Sequence, residues 1–318
     1  MTSLYELSTS GELRLTDATA FPANGDADGV VRWLRLIGRQ PQERRDALRA
    51  LALPDDLIEQ AQEGKIRSWV ITHGGALLAA MPALAPGHQR TSVLRVACTE
   101  TTMITAEEVP LPAIDRIVAE GGRAGRSARS LQSLCIAILE AVAIGAAPVY
   151  QSLRQGLEEL SDALEDHPLD VPPDDLLDMK RRVGRLSMLW EDQMHVFMEL
   201  QRHASHVSTA EGSHEWLRNL AFDSERGTKL VAQLETRLRD LRLYQTHCLQ
   251  ESTNRRLNLL AVLSAVYMPA TLIAGIYGMN FDGIPITRVP YGYFAVLALM
   301  GAVVLGQLWI FRRRGWFR

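Results

Sequence analysis

The chain has 318 residues, of which 47% are apolar and 6% aromatic, and its formal net charge is −3. So small a charge argues against a nucleic-acid-binding protein and against a strongly acidic tail. Cys98, Cys135 and Cys248 are far apart in the sequence, which favours buried thiols in a reducing compartment. The stretch Met1–Asp26 lacks the basic and apolar regions of a signal peptide.

The first third of the chain is predicted to form short helices followed by a small sheet. Helical spacing favours helices at Arg32–Ile37 and Glu43–Leu51. Alternating stretches on either side of His73-Gly74-Gly75 predict a β-hairpin, and Thr91–Cys98 and Thr101–Val109 predict two more strands. We therefore expect a mostly antiparallel sheet with helices against it, forming a cytoplasmic α/β head over residues 1–126.

The middle of the chain is predicted to be helical, with one clear break at His167–Pro173. Leu131–Leu164 is therefore expected to return through Leu176–His206 as a helical hairpin. A single helix from about Glu215 to Tyr277 should follow, roughly 90 Å long at 1.5 Å per residue. A coiled-coil-like seam runs along it at Val231, Leu234, Leu238, Leu241 and Cys248. An ordinary helical bundle explains this seam equally well. We assign residues 127–253 to the hairpin and this stalk helix.

Two stretches near the C-terminus, Leu257–Phe281 and Val289–Phe311, carry no charge over more than the ~20 residues that cross a bilayer. They predict a transmembrane domain over 254–318, with helices at about 257–279 and 291–311 and an outer loop at about 280–290. Arg255 and Arg256 precede the first span, and Arg312–Arg314 follow the second. The positive-inside rule then predicts that both termini are cytoplasmic. We expect a multi-pass protein of the inner membrane whose spans contact membrane lipid.

One face of the first span is small and polar. It is formed at three- and four-residue steps by Asn254, Asn258, Ala261, Ser264, Met268, Thr271, Gly275 and Gly278. Tight packing of helices through small residues explains such a face, and so does a water-filled path. Because two helices cannot enclose a path, the second explanation requires several copies around an axis, so a homo-oligomer is expected.

The first span ends in Tyr277-Gly278-Met279-Asn280, contains Met268-Pro269 and is followed by a short loop, a last helix and a basic tail. In these features the chain resembles the CorA/ZntB superfamily of divalent metal-ion transporters, most densely over Asn254–Arg318. The resemblance implies a CorA-like, funnel-shaped homopentamer. Each chain would have an α+β cytoplasmic domain, a long helical stalk and two C-terminal transmembrane helices.

The resemblance also implies roles for individual residues. Gly278, Met279 and Asn280 would form the selectivity filter, in which a ring of neutral amide oxygens accepts hydrogen bonds from the tightly held water of Mg²⁺. Residues that match lining or gating positions, or lie on the same face, are Asn254, Leu257, Leu260, Ala261, Ser264, Met268, Thr271 and Gly275. Leu257 and Leu260 would form an apolar constriction.

The transported metal stays open at this point. Asn280-Phe281-Asp282 resembles the Mg²⁺/Co²⁺ branch, and Asp282 would attract cations at the outer loop. Gly283-Ile284-Pro285 resembles the ZntB-type zinc branch, and Ile286 stands where the Mg²⁺ branch usually has a second acidic residue. We favour hydrated Mg²⁺ or Co²⁺, with Ni²⁺ as a further ion and Zn²⁺ as the alternative. These cations are expected as substrates and regulators, without a covalently bound cofactor.

Several remaining features have a simpler explanation beside a functional one. The helical hairpin carries many acidic residues, which we interpret as a solvent-exposed tip. Repeated around the axis of an oligomer, the same carboxylates would instead concentrate cations near the inner mouth of the pore. His195, His203 and His206 suit a zinc site only if a fourth ligand joins them. Asp223 is the stalk acid nearest to a regulatory metal position of the family. Without a Walker, GxSxG or HExxH motif no enzyme is expected, and a non-transporting membrane sensor or adaptor is the remote alternative.

Overall fold

The chain divides into two compact units. The computed structural model describes residues 2–8, 12–16, 30–38, 40–49, 51, 53–62, 68–85, 87, 91–121, 130–203, 213–279 and 291–314. The first unit comprises Met1–Asp166 and Val171–Leu241, and the second comprises His167–Asp170 and Arg242–Arg318. The division into domains after residues 126 and 253 stays a prediction.

The first unit is built on a seven-stranded sheet of order β2-β1-β3-β7-β6-β5-β4. The strands are β1 (Thr2–Leu7), β2 (Leu13–Thr16), β3 (Arg32–Ile37), β4 (Trp69–His73), β5 (Ala76–Leu84), β6 (Thr91–Cys98) and β7 (Thr102–Glu107). All neighbours pair antiparallel except β3 and β7. The predicted antiparallel character is therefore confirmed. The predicted hairpin is β4–β5, closed by Gly74 and Gly75 with φ of 55° and 84°, values that favour glycine.

The predicted helix at Arg32–Ile37 is wrong, because this segment is strand β3. Trp33, Leu34 and Leu36 are buried on the two faces of the sheet. The three-residue spacing of Arg32 and Arg35 imitates a helix, yet both arginines are buried in the strand.

Arg35 is held by acidic partners from later in the chain. Its Nε and Nη2 donate to Oε1 and Oε2 of Glu107 at 2.6 and 2.9 Å, and Nη2 lies 2.7 Å from Oδ1 of Asp115. Burial alone would lower the pKa of Arg35, but the hydrogen bonds and attraction of Glu107 and Asp115 outweigh it and raise the pKa. The guanidinium therefore stays charged and ties β3 to β7 and to the helix that follows.

The helices of the described chain are α1 (Pro41–Arg49), α2 (Asp55–Gln62), α3 (Pro112–Ala119), α4 (Leu131–Ile144), α5 (Ala147–Asp166), α6 (Pro173–Arg202), α7 (Ser213–Tyr277) and α8 (Gly292–Arg313). Helix α1 confirms the helix predicted near Glu43. The run expected over Leu131–Leu164 is divided into α4 and α5 at Gly145 and Ala146. Ser130 caps α4, accepting a hydrogen bond on its Oγ from the N–H of Ser133 at 3.2 Å.

Three apolar clusters hold the first unit together, and one of them joins Leu4, Leu34 and Leu78 of the sheet to Ala61 of α2. Helix α4 packs in the cluster that includes one face of the sheet, with Leu131, Ile138 and Leu139 fully buried. The third cluster joins α5, α6 and α7, and it includes the predicted seam residues Val231, Leu234 and Leu238, with Leu241 packed at its edge. Cys248 is half-exposed. The long helix expected from Glu215 to Tyr277 is confirmed as α7, which has 65 residues.

Candidate functional site

Three segments of the described chain are long and apolar enough to cross a membrane: Leu131–Asp166, Glu215–Tyr277 and Gly292–Arg313. In the first, 44% of the most apolar stretch is buried, against 6% and 0% in the other two. Its apolar half is α4, whose 14 residues span about 21 Å and are too short for a bilayer core of about 30 Å. Among the described residues, the two C-terminal segments are therefore the ones whose most apolar stretches are left almost entirely unburied.

The end of α8 has the features of a helix that leaves a bilayer. Trp309 is exposed, and the guanidinium of Arg313 lies 5.2 Å from the centre of its ring. Tryptophan and arginine side chains of this kind sit at the boundary between hydrocarbon and water.

In the second unit, each of the two apolar helices has one stripe of half-buried residues with a single buried one among them, which we call the covered stripe. On α7 it is formed by Val262, Ala265, Val266, Pro269, Ala270, Ile273 and Tyr277. On α8 it is formed by Gly292, Val296, Met300, Val303, Val304, Gln307 and Phe311. Both stripes follow three- and four-residue steps, the spacing of one helix face.

The predicted lining residues lie on the other side of α7. Asn254, Leu257, Leu260, Ala261, Ser264, Met268, Thr271, Gly275 and Gly278 are all exposed in the single chain. At 100° per residue their mean direction is about 160° from that of the covered stripe. Met268 is 77% exposed, whereas Val262 on the covered side is 7% exposed. The structure thus brings these residues together on one uncovered face.

Polar groups on this face are available for ligands outside the chain. The Thr271 hydroxyl donates to the carbonyl of Tyr267 at 2.8 Å, so the lone pairs of its oxygen remain to accept. Gly275 has open space where a Cβ would stand. Pro269 lacks an N–H and frees the carbonyl of Ala265, but both residues are half-buried on the covered side rather than on this face.

Helix α7 ends just before the predicted filter. The N–H of Gly278 donates to the carbonyl of Ala274 at 2.9 Å, and that of Met279 to Ile276 at 3.3 Å. Gly278 and Met279 are exposed at this end. Asn280 and Asp282 lie outside the described residues, as do the loop positions 283–290.

The remaining predicted metal positions are not gathered into a site in the part of the chain that the structure describes. No three His, Cys, Asp or Glu side chains of those residues come close enough to hold an ion. His203 lies 3.3 Å from the Thr72 hydroxyl through its Nδ1, and Asp223 is exposed on α7. His206 falls outside the described residues.

One polar residue of the second span was missed by the sequence reading. The side-chain oxygen Oε1 of Gln307 is buried on the covered stripe of α8, without a hydrogen-bond partner among the described residues. An amide in an otherwise apolar span was the signal that could have marked it.

The family described as CorA-like Mg²⁺ transporter protein matches the chain over residues 28–313. The chain belongs to this family. The two apolar C-terminal helices accord with membership, because CorA-family transporters are membrane proteins.

The names of individual relatives state different transported ions. The chain is 41% identical over 64 residues to the cobalt/magnesium transport protein CorA of Thermotoga maritima, covering 20% of this chain and 18% of that protein. It is 24% identical over 170 residues to the divalent cation transporter CmaX of Pseudomonas aeruginosa, covering 52% and 51%. It is 22% identical over 289 residues to the zinc transport protein ZntB of Pectobacterium atrosepticum, covering 89% and 87%. The chain thus spans about half of CmaX and 18% of this CorA.

Solved structures of CorA-family proteins share the fold. The full-length CmaX protein superimposes with a TM-score of 0.80 at 20% identity, over 98% of this chain and 96% of that one. The complete CorA magnesium transporter of Methanocaldococcus jannaschii gives 0.81 at 18% identity, over 99% and 98%. The predicted α/β domain, long helix and C-terminal apolar helices are therefore confirmed as the fold of this family.

Proposed function

We propose that this protein moves divalent metal cations across a membrane along the exposed face of α7. The observation that carries the proposal is the position of the predicted lining residues. They share one uncovered face, while the residues on the opposite side of the same helix are half-buried or buried. An exposed polar stripe at membrane depth needs water or another helix against it, because hydrocarbon cannot satisfy its polar groups.

Several copies are needed to enclose such a path. One chain contributes two apolar helices, so closing the stripe against lipid takes an assembly around an axis. We propose a funnel-shaped homopentamer with α7 inside and α8 towards lipid. Helix α8 suits the outer position, since its exposed residues Leu297, Leu305 and Ile310 are apolar.

Selectivity is proposed to lie at Gly278, Met279 and Asn280. Five Asn280 amides would accept hydrogen bonds from a hydrated ion without removing its water, and a neutral ring releases the ion again. Leu257 and Leu260 would narrow the path, with Asn254 at its inner mouth. Asp282 would attract cations outside, and Asp223 would serve as a regulatory metal position.

The proposed cargo is Mg²⁺ or Co²⁺, with Ni²⁺ as a further ion. The acidic Asp282 directly after Asn280-Phe281 supports this choice. Zn²⁺ is the alternative, which the long similarity to the ZntB of Pectobacterium atrosepticum favours. The sequence after Cys248 contains no Cys or His, so either metal would pass hydrated rather than bound directly.

The proposed location is the inner membrane, with two spans and both termini in the cytoplasm. Arg255 and Arg256 before the first span and Arg312–Arg314 after the second support this orientation.

Flux into liposomes tests the proposal. We expect the purified protein to admit Mg²⁺ and Co²⁺ faster than Ni²⁺ and Zn²⁺. Asn280→Leu removes the amide and should stop flux without changing the size-exclusion profile, while Asn280→Asp should bind cations more tightly and conduct worse. Asn219→Leu makes the same change on the exposed surface of α7 in the first unit and should conduct like the parent. Parental flux and selectivity in Asn280→Leu would refute the filter. An intact assembly that conducts none of these ions would favour the sensor alternative.

A further inference from the structure

An open cavity of about 640 Å³ lies in the first unit, outside every residue assigned to the cation path. It is bounded by α5, by α6 and by the facing ends of β5 and β6, at Leu84 and Thr91. A volume of this size is typical of small-molecule sites.

One wall of the cavity is cationic. Arg181, Arg182 and Arg185 of α6 all line it, and at 100° per residue they lie within about 100° of each other around the helix. Arg181 has an acidic partner, because its Nη1 is 3.0 Å from Oδ1 of Asp178. In the part of the chain that the structure describes, no carboxylate forms an ion pair with Arg182 or Arg185.

This wall is unusual for its surroundings. The same two helices and the turn between them otherwise carry many acidic residues: Glu158, Glu159, Asp162, Glu165, Asp166, Asp170, Asp174 and Asp175. Three arginines within five positions repel each other, and Asp178 is the one acidic residue among the described residues that line the cavity. A bound anion would remove this repulsion.

The opposite wall is largely apolar and belongs to the start of α5. Pro148 and Val149 lie in its first turn, and Ser152 adds a hydroxyl one turn later. The first turn of a helix carries a partial positive charge, which adds to the potential of the arginines. The cavity therefore combines a cationic side, an apolar side and a hydrogen-bonding hydroxyl.

We propose that this cavity binds a small anion bearing phosphate groups, of the nucleotide or inorganic polyphosphate class. The planar guanidinium groups of Arg182 and Arg185 match two phosphate oxygens each, and Ser152 can donate a further hydrogen bond. The apolar wall at Pro148 and Val149 offers a surface for a base. Binding is a property of the first unit and does not depend on the proposed transport.

Titration calorimetry on the full-length protein in detergent tests this proposal. The probes are ATP, pyrophosphate, orthophosphate and adenosine, all with a chelator so that no divalent ion takes part. We expect ATP to bind and adenosine not to bind. Pyrophosphate as strong as ATP would identify inorganic polyphosphate as the ligand, and pyrophosphate weaker than ATP would identify a nucleotide.

The double substitution Arg182→Gln/Arg185→Gln should weaken the binding of ATP at least about tenfold, since each lost charged hydrogen bond is worth roughly that factor. It should also raise the melting temperature without ligand, because like charges are removed. Arg237→Gln/Arg239→Gln removes the same charge from exposed positions of α7 outside the cavity and should leave the binding unchanged. No heat of binding with ATP or pyrophosphate, or equal affinity in both double variants, would overturn the proposal. Mg²⁺ and Co²⁺ flux is measured on the same variants, so that a failure of anion binding can be distinguished from a failure of the proposed transport.

Discussion

At the scale of single residues, Gly227 shows how closely α7 packs against α6 in the first unit. A Cβ at this position would stand 2.7, 2.9 and 3.0 Å from Cδ2, Cε2 and Cε3 of the Trp190 indole. Trp190 is buried and also contacts Tyr150, with 5.9 Å between the ring centres and 43° between the ring planes. Because both neighbours hold the indole in place, the ring has little freedom to move away.

We expect Gly227→Ala to lower the free energy of unfolding by up to about 2 kcal/mol. Overpacking costs about 1–3 kcal/mol, and the better helix propensity of alanine returns up to about 1 kcal/mol. Gly184→Ala is the matched control, since Gly184 is also helical and has nothing within 4 Å of its Cβ position. It should stabilise the protein. The melting temperatures of both variants are measured by thermal unfolding. Equal shifts in melting temperature would contradict the close contact between Gly227 and Trp190.

A second residue-scale prediction concerns the acidic partner of Arg35. Glu107→Gln keeps the shape of the side chain and one acceptor oxygen but removes its charge, so Arg35 loses its buried acidic partner and we expect a loss of about 3 kcal/mol. Glu108→Gln is the control, because Glu108 is half-exposed and its nearest contact to Arg95 is 3.6 Å, which is worth at most about 1 kcal/mol. Denaturant unfolding should give a clearly lower free energy of unfolding for Glu107→Gln than for Glu108→Gln.

The pH dependence of the Arg35 contribution follows from the sign of its shift. The pKa of Arg35 is raised in the folded protein, so its charge stabilises the fold below the ordinary pKa of arginine and is lost only above it. From neutral pH, where both partner carboxylates are charged, the stabilisation by Arg35 should therefore stay constant up to about pH 10. A loss of the difference in unfolding free energy between the parent and Arg35→Met between neutral pH and about pH 10 would contradict this assignment.

At the scale of elements, the sequence predicted those whose pattern is local. The hairpin β4–β5 is marked by its glycine turn, and α7 by its long run without a breaker before Pro269. Strand β3 was mistaken for a helix because the partner of Arg35 is Glu107, 72 positions away, which no local pattern reveals. The boundary between α4 and α5 was missed because Gly145 and Ala146 are a weaker signal than proline.

In the candidate site, too, the sequence predicted the features with a local pattern and not those formed by distant residues. The exposed stripe of α7 was predictable, since small and polar residues at helical steps stand out in an apolar span. The arginine-lined cavity was not, because Ser152 and Arg182 come to line the same cavity only after α5 and α6 fold back on each other. Similarly, the burial of the Gln307 side-chain oxygen on the covered stripe of α8 is visible only in the folded structure.

At the scale of the whole molecule, the proposed homopentamer predicts which positions approach their copies. Thr271→Cys should form disulfide-linked dimers on oxidation, and Leu305→Cys, an exposed position of α8 that we place towards lipid, should not. Both substitutions belong in a Cys248→Ala background. Cys98 will not interfere, since a hydrogen bond with Cys135 and its burial raise the pKa of its thiol and keep it protonated. Native mass spectrometry should count five chains, and any smaller closed assembly would refute the pentamer.

The central claim, that cations pass along the exposed face of α7, is tested most directly by blocking that face. Mg²⁺ and Co²⁺ flux into liposomes is measured for Thr271→Cys and Leu305→Cys before and after a positively charged, water-soluble methanethiosulfonate. The reagent adds a bulky cation at the modified thiol, which repels a passing divalent ion. We predict that it stops most of the flux of Thr271→Cys and leaves that of Leu305→Cys unchanged. Undiminished flux through fully modified Thr271→Cys protein would contradict the account.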